Sequence, residues 1–279
     1  MKSSEELIKP RNTDEFGDFW YDGKAEVSSY ELTQARYGEL HEGKGVMIFV
    51  TEPFSRSSQT KADNPTKDDP NVLKMNFTRK FNTGIYPYSI MTSTFYPVAT
   101  QEHAFKVSTS IQEWCGHVYM ELDKKSDYEI TVHSYFEGEN NQEIQQDIVH
   151  LEDEIWTQIR LDPQELPVGE VEMIPSFAYI RLMHQDIKPY KCKTTLTESA
   201  DTSAYSMVYS ELGRVMTIKF ETAFPHKIYS WIDSYESGFG DNKSMLTSSG
   251  KLDKSIRVDY WNKNALKDSI YRADLNLEH

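Results

Sequence analysis

Apolar and polar residues alternate through the stretch from Phe81 to Glu137, and that alternation constrains the fold more than any other feature. Phe105, Val107 and Ile111 share one parity, Trp114, Val118, Met120 and Leu122 the other, and Tyr128, Ile130, Val132 and Phe136 follow. A period of two places alternate residues on one face of a strand. The parity switch between Ile111 and Trp114 requires a bulge or a sharp bend, and Gly116 suits one. The stretch reads as a bent strand with Gln112 to His117 at the bend.

The same signature recurs along the chain. Strand patterns occupy 25–36, 45–51, 72–77, 85–96, 177–184, 190–197, 204–209, 214–221, 225–232 and 251–261, separated by polar turns such as His41 to Gly45. Helical spacing is confined to Leu151, Ile155, Trp156 and Ile159, which predict a short helix near 147–160, and to a frayed helix over 264–275. Residues 52–70 and 235–250 read as loops. Strands that do not alternate with helices exclude a βαβ architecture. The expectation is an all-β fold, a curved antiparallel meander forming an open or partial β-barrel, with the 147–160 helix as its lid or plug. Residues 1–18 read as a polar N-terminal arm, 19–262 as a single β domain, and 263–279 as a C-terminal tail and tag remnant. Leu277-Glu278-His279 reads as the start of a purification tag, and Met1-Lys2-Ser3-Ser4 as a start placed after a removed export signal.

Composition narrows function by exclusion. A formal net charge of −14 over 279 residues opposes non-specific binding to nucleic-acid phosphates and to anionic membrane surfaces. No apolar run is long enough to span a bilayer as a helix. Cys115 and Cys192 form no CxxC pair; they read as two free packed thiols, with a single disulfide as the alternative. The GxGxxG, GxxxxGK[ST], HExxH and GxSxG patterns are absent, and no cofactor is expected.

Two constellations carry candidate chemistry. Pairing the strands around Asp123 to Asp127 in the tightest apolar register sets Leu122 opposite Tyr128, Val118 opposite Val132 and His117 opposite His133. Opposed residues have Cβ atoms roughly 4.5–5.5 Å apart. Glu113, Cys115, His117 and His133 are therefore the candidates for a metal or acid–base site, or for a hydrolase with a Cys–His pair, against the plainer reading of a partly solvated polar face. Tyrosines concentrate here as well: Tyr86, Tyr88, Trp114, Tyr119 and Tyr135 are the candidate aromatic rim of a ligand pocket, against an ordinary aromatic core.

The runs FNTGIYPYSIMTSTFYPV, KVSTSIQEWCGHVY and SYFEGE, with EIW, IPSFAYIRL and SGFG further on, resemble an uncharacterised family of bacterial exported proteins. The resemblance extends from Phe16 to Trp261. It implies a periplasmic or outer-membrane-anchored lipoprotein with a lipid-bearing cysteine ahead of Met1. Such sequences are sometimes labelled septum formation inhibitor Maf; the nucleotide pyrophosphatases of that name are α/β with an SxSxRR-type loop, whereas Ser55-Arg56-Ser57-Ser58 lacks the pattern. The meander is also similar to the open barrels of periplasmic lipoprotein carriers. The functional expectation is a cell-envelope binding protein for a lipophilic small molecule or a partner protein. The alternatives are the hydrolase or metal site and a purely structural envelope protein.

Overall fold

The computed structural model describes residues 14–99 and 102–277. Residues before Asp14, which make up most of the sequence-predicted arm, and Glu278-His279, at the end of the sequence-predicted tail, lie outside the described residues. Helix α1 (Asp14–Trp20) leads into β1 (Ala25–Arg36), β2 (Glu39–Ser55), β3 (Thr60–Lys61), β4 (Asn71–Thr83), β5 (Tyr86–Pro97), β6 (Lys106–Glu113), β7 (Gly116–Lys124), β8 (Tyr128–Ser134) and β9 (Gln142–Gln146). Then come β10 (His150–Leu151), α2 (Glu152–Leu161), β11 (Gly169–Ile174), α3 (Phe177–Met183), β12 (Tyr190–Thr197), β13 (Thr202–Tyr209), β14 (Arg214–Glu221), β15 (Ile228–Ser237), β16 (Ser244–Val258) and α4 (Ile270–Asp274).

All strands belong to one mostly antiparallel sheet, as the alternation predicts, and β10–β11 is the parallel pair. The path runs from β10 through β11 to β16, on to β1 and β2, and then through β4 to β9, with β3 beside β2. β1 is hydrogen-bonded on both sides, to β2 and to β16. The two ends of the path, β9 and β10, are not paired with each other, so the sheet curls but stays open at a seam. No helix among the described residues is long and apolar enough to cross a membrane.

The helix anticipated near 147–160 begins at Glu152 and fills the interior. All ten of its residues are buried. Glu152, Asp153 and Glu154 complement the positive end of the helix dipole, and Pro163 follows its C-cap, Asp162. Burying so many polar groups requires partners. Arg160 forks onto both oxygens of Glu26 on β1 and donates through Nε to the Pro225 carbonyl at 2.8 Å. Gln158 donates to the Tyr96 hydroxyl (3.1 Å), and the Thr94 hydroxyl donates to the Asp153 carbonyl (3.0 Å). On the apolar face Trp156 meets Phe77 and Trp231, each with centroids 5.6 Å apart. The helix is thereby tied to β1, β4, β5 and β15 and to the connection before β15.

Several local expectations are corrected. Gln112 to His117 is a hairpin rather than a bend in one strand: Glu113 pairs with Gly116, and Trp114-Cys115 make a two-residue turn. The β7–β8 register is two residues tighter than anticipated. Lys124 pairs with Tyr128, Leu122 with Ile130, and His133 lies opposite Tyr119, not His117. A shift of two preserves the faces, so the apolar residues still point inward. Of residues 177–184, read as a strand, 177–183 form α3, and the Asp153 carboxylate accepts the Phe177 N–H (3.0 Å) at its start. Residues 235–250 are mostly strand, with a short connection between β15 and β16. Residues 264–275 hold a short 3₁₀ turn and α4, not one helix.

Candidate functional site

The inward face of β1 carries Tyr30, Leu32, Gln34 and Arg36, so the strand delivers a charged residue into the interior at its end. Arg36 is only 6% exposed. Its guanidinium lies 4.2 Å from the ring centroid of Tyr37 and 5.7 Å from that of Tyr88. It donates to the Leu182 carbonyl and, at 3.4 Å, to the Tyr37 hydroxyl. Among the described residues it pairs with no carboxylate, and its Nε is buried without a hydrogen-bond partner. Tyr37, in the left-handed region (φ 56°), turns its hydroxyl to those of Tyr88 (2.8 Å) and Tyr86 (3.2 Å). Burial opposes ionisation of Tyr37, but the bonds from Tyr86 and Tyr88 and the charge of Arg36 outweigh it and draw its pKa below the usual phenol value.

Arg36 borders a pocket of about 740 Å³ between α3 and the edge strand β9. Val118, Met120, Val132, Ile144 and Ile180 give it an apolar wall. Arg181 of α3 supplies a second buried guanidinium, 4.6 Å from the Phe136 ring centroid. Its charge is matched: Glu139 lies 3.0 Å from Arg181 and 2.8 Å from Nδ1 of His184. Burial would raise the Glu139 pKa, but the His184 hydrogen bond and the Arg181 charge hold it below the usual carboxylate value. His184 is the left-handed C-cap of α3, and Phe239 packs near both His184 and Tyr37. The pocket is thus apolar along one wall and cationic at Arg36.

The sequence-predicted residues divide. Tyr86, Tyr88 and Trp114 gather near Arg36: Tyr86 and Tyr88 through Tyr37, and Trp114 stacked on Tyr86 at 6.4 Å. Tyr119 and Tyr135 lie on the outer face, exposed, beside His117 and His133 in a shallow depression. Glu113 turns inward, accepts the Cys115 N–H at 2.7 Å and lines the pocket with Cys115. The hydrogen bond to Glu113 and its charge push the Cys115 thiol up. Glu113 and Cys115 are therefore together, His117 and His133 are together, and the two pairs border different cavities. The cysteines are both free, Cys115 exposed and Cys192 buried.

Arg36, Arg181, Glu139 and His184 escaped the sequence reading. A signal existed for Arg36 alone: an arginine continuing the inward parity of Tyr30 and Leu32. The interior also holds a polar core that local patterning does not reveal. Arg214 bonds both oxygens of Glu152 and both of Asp233 at 2.7–2.9 Å, and Tyr209 donates to Glu152 at 2.9 Å. Arg214, Glu152 and Asp233 border a cavity of about 30 Å³ with Asp153 and Arg79, room for a single water.

No family model matches the sequence, and no curated protein matches it. A similar solved structure is the crystal structure of a beta-barrel-like protein of domain of unknown function DUF1849 from Brucella abortus. It is 10% identical with a TM-score of 0.42, and the alignment covers 84% of this chain and 98% of that one.

Proposed function

We propose that the chain is a non-catalytic binding protein that holds a small amphiphile with an anionic group in the pocket between α3 and β9. The observation that carries this reading is Arg36, a buried cation without a carboxylate partner among the described residues, at the border of a pocket with an apolar wall. An uncompensated buried charge costs several kcal/mol, and a bound anion offsets that cost. The ligand's apolar body lies along Val118, Met120 and Val132, and its head meets Arg36 and Tyr37. Export to the cell envelope, as a periplasmic or lipid-anchored protein, is the setting that the sequence resemblance implies for such a carrier.

A dansylated medium-chain fatty acid is the direct probe, read by fluorescence titration and native mass spectrometry. One equivalent per chain is expected. Met120→Trp and Val132→Trp, which fill the apolar wall, should abolish binding while leaving the thermal transition cooperative. The uncharged alcohol of the same chain length should bind at least tenfold more weakly. No binding by the wild type, or binding indifferent to both tryptophans, overturns the reading and favours a structural envelope protein. Turnover of a fatty-acyl ester that is lost in Cys115→Ser would instead support a hydrolase.

A further inference from the structure

We propose that His103, His150 and Glu154 form a binding site for a divalent transition-metal ion of the zinc class, where the interior helix leaves the sheet. His103 sits on the connection between β5 and β6, His150 opens β10, and Glu154 lies in the first turn of α2. Two stretches distant in sequence, the β5–β6 connection and the β10–α2 junction, thus converge. Each side chain offers one ligand atom, and these atoms lie within 4.8 Å of one another.

The arrangement is already built around the carboxylate. Oε1 of Glu154 is 2.8 Å from Nδ1 of His103 and accepts the Leu151 N–H at 3.2 Å; Oε2 accepts the Ala104 N–H at 2.8 Å. The Leu151 and Ala104 bonds come from outside the ligand set, and bonds of this kind hold ligands in orientation at metal sites. The two imidazoles stand 5.1 Å apart between centroids at 66°. The Tyr128 ring packs edge-on to His103 at 6.4 Å, and its hydroxyl donates to the Val149 carbonyl at 2.9 Å, which fixes the backbone beside His150.

A hydrogen-bonded cluster without a cation accounts for His103 and Glu154 but not for His150. Nδ1 of His150 is buried with no hydrogen-bond partner among the described residues. Leaving such an atom unpaired costs about 1–3 kcal/mol. A cation that draws His150 into the set removes that cost. Two imidazoles and one carboxylate suit Zn²⁺ and its neighbours rather than Ca²⁺ or Mg²⁺, which take mainly oxygen ligands. Three protein ligands leave a fourth tetrahedral position, and His103, 25% exposed, provides solvent access to it. The ion would join the start of α2 to the β5–β6 connection.

The test uses the full chain, stripped with EDTA and titrated calorimetrically with ZnCl₂. One equivalent should bind with Kd below about 10 μM, a binding free energy of about −7 kcal/mol. His150→Ala and His103→Ala should each weaken binding at least tenfold, and the outer-face variant His117→Ala/His133→Ala should bind as wild type. Because the single variants can also perturb the fold, histidine-ring NMR of the wild type supplies a second readout: Zn²⁺ should shift the His103 and His150 imidazole signals. Absence of stoichiometric binding, undiminished binding by His150→Ala, or Zn²⁺ shifts confined to His117 and His133 would each overturn the proposal.

Discussion

Arg214 and Glu152 face each other through two 2.7 Å bonds, Nη1 to Oε2 and Nη2 to Oε1, and join the wall strand β14 to the first residue of the interior helix. The same guanidinium also holds Asp233, so one cation serves two buried carboxylates. Removing one partner of a buried pair leaves an uncompensated charge and typically costs about 3–5 kcal/mol. Arg214→Met should therefore lower stability by about that amount, and Glu152→Gln by less, since Arg214 keeps Asp233. Urea unfolding monitored by tryptophan fluorescence measures both. Equal losses would show that Asp233 does not share the charge.

Trp231 packs where β16 and β2 lack side chains. A Cβ added at Gly250 would fall 2.1 Å from the Trp231 ring, closer than any real contact, while Gly45 lies at ordinary packing distance from the same ring. Gly250→Ala should thus destabilise by about 1–3 kcal/mol through overpacking. In a Trp231→Phe background the cost of Gly250→Ala should shrink, because the clashing ring atoms are gone. A double-mutant cycle by chemical denaturation gives the coupling, and strict additivity would contradict the contact.

Asp153 lies beneath the start of α3, buried, with Glu152, Arg79 and Ser176 around it. Burial pushes its pKa up to about 6 from 3.8, against the stabilising N–H of Phe177. The folded state therefore holds this proton more tightly than the unfolded chain does. Its contribution to stability is fully present below pH 4 and is lost as pH rises towards 6. The change amounts to roughly 3 kcal/mol, at about 1.4 kcal/mol per pKa unit. Other carboxylates impose their own slopes, so the comparison with Asp153→Asn isolates this one. Between pH 4 and 6 the variant should gain stability relative to wild type as pH increases, in urea midpoints taken across the range. Parallel profiles would show that Asp153 ionises normally.

The two thiols should differ sharply in reactivity. Cys115 is exposed, but the Glu113 hydrogen bond disfavours its thiolate, and burial pushes Cys192 up to about 12. A colorimetric disulfide reagent at pH 7.5 should modify one thiol in the native protein and the second only in denaturant. Glu113→Gln should accelerate the first reaction several-fold, because the thiolate is the reacting species. Fast modification of wild-type Cys115, unchanged in Glu113→Gln, would instead mark an activated nucleophile.

What could be read in the sequence follows from the range of the interactions involved. β12 and β14 were legible to the residue and β13 to within two, because their alternation is local and their turns are polar. The parity of β7 and β8 was legible too, but not their register: a shift of two residues leaves every face unchanged, and the choice rests on the geometry of the loop after Lys124. α3 was misread because Phe177 to Leu182 are all buried, which removes the period that separates helix from strand. The carboxylate at its start is that of Asp153, more than twenty residues earlier. Arg36 and Arg181 meet one cavity only after the sheet has curled, and His103 meets Glu154 from some fifty residues earlier in the chain. No spacing rule connects such pairs.

The double pairing of β1 bears on how the chain reaches this state. From β1 to β9 each strand pairs with one near it in sequence, the longest connection being residues 56–70 between β2 and β4, so that half can zip up from comparatively local contacts. The opposite edge of β1 must wait for β16, where Ala25 meets Val258. Closing a contact across so much chain carries a high entropic cost and slows folding. During synthesis the first half therefore stands with β1 as a bare edge until the last strand emerges, the interval in which such a sheet is most open to mispairing with another copy.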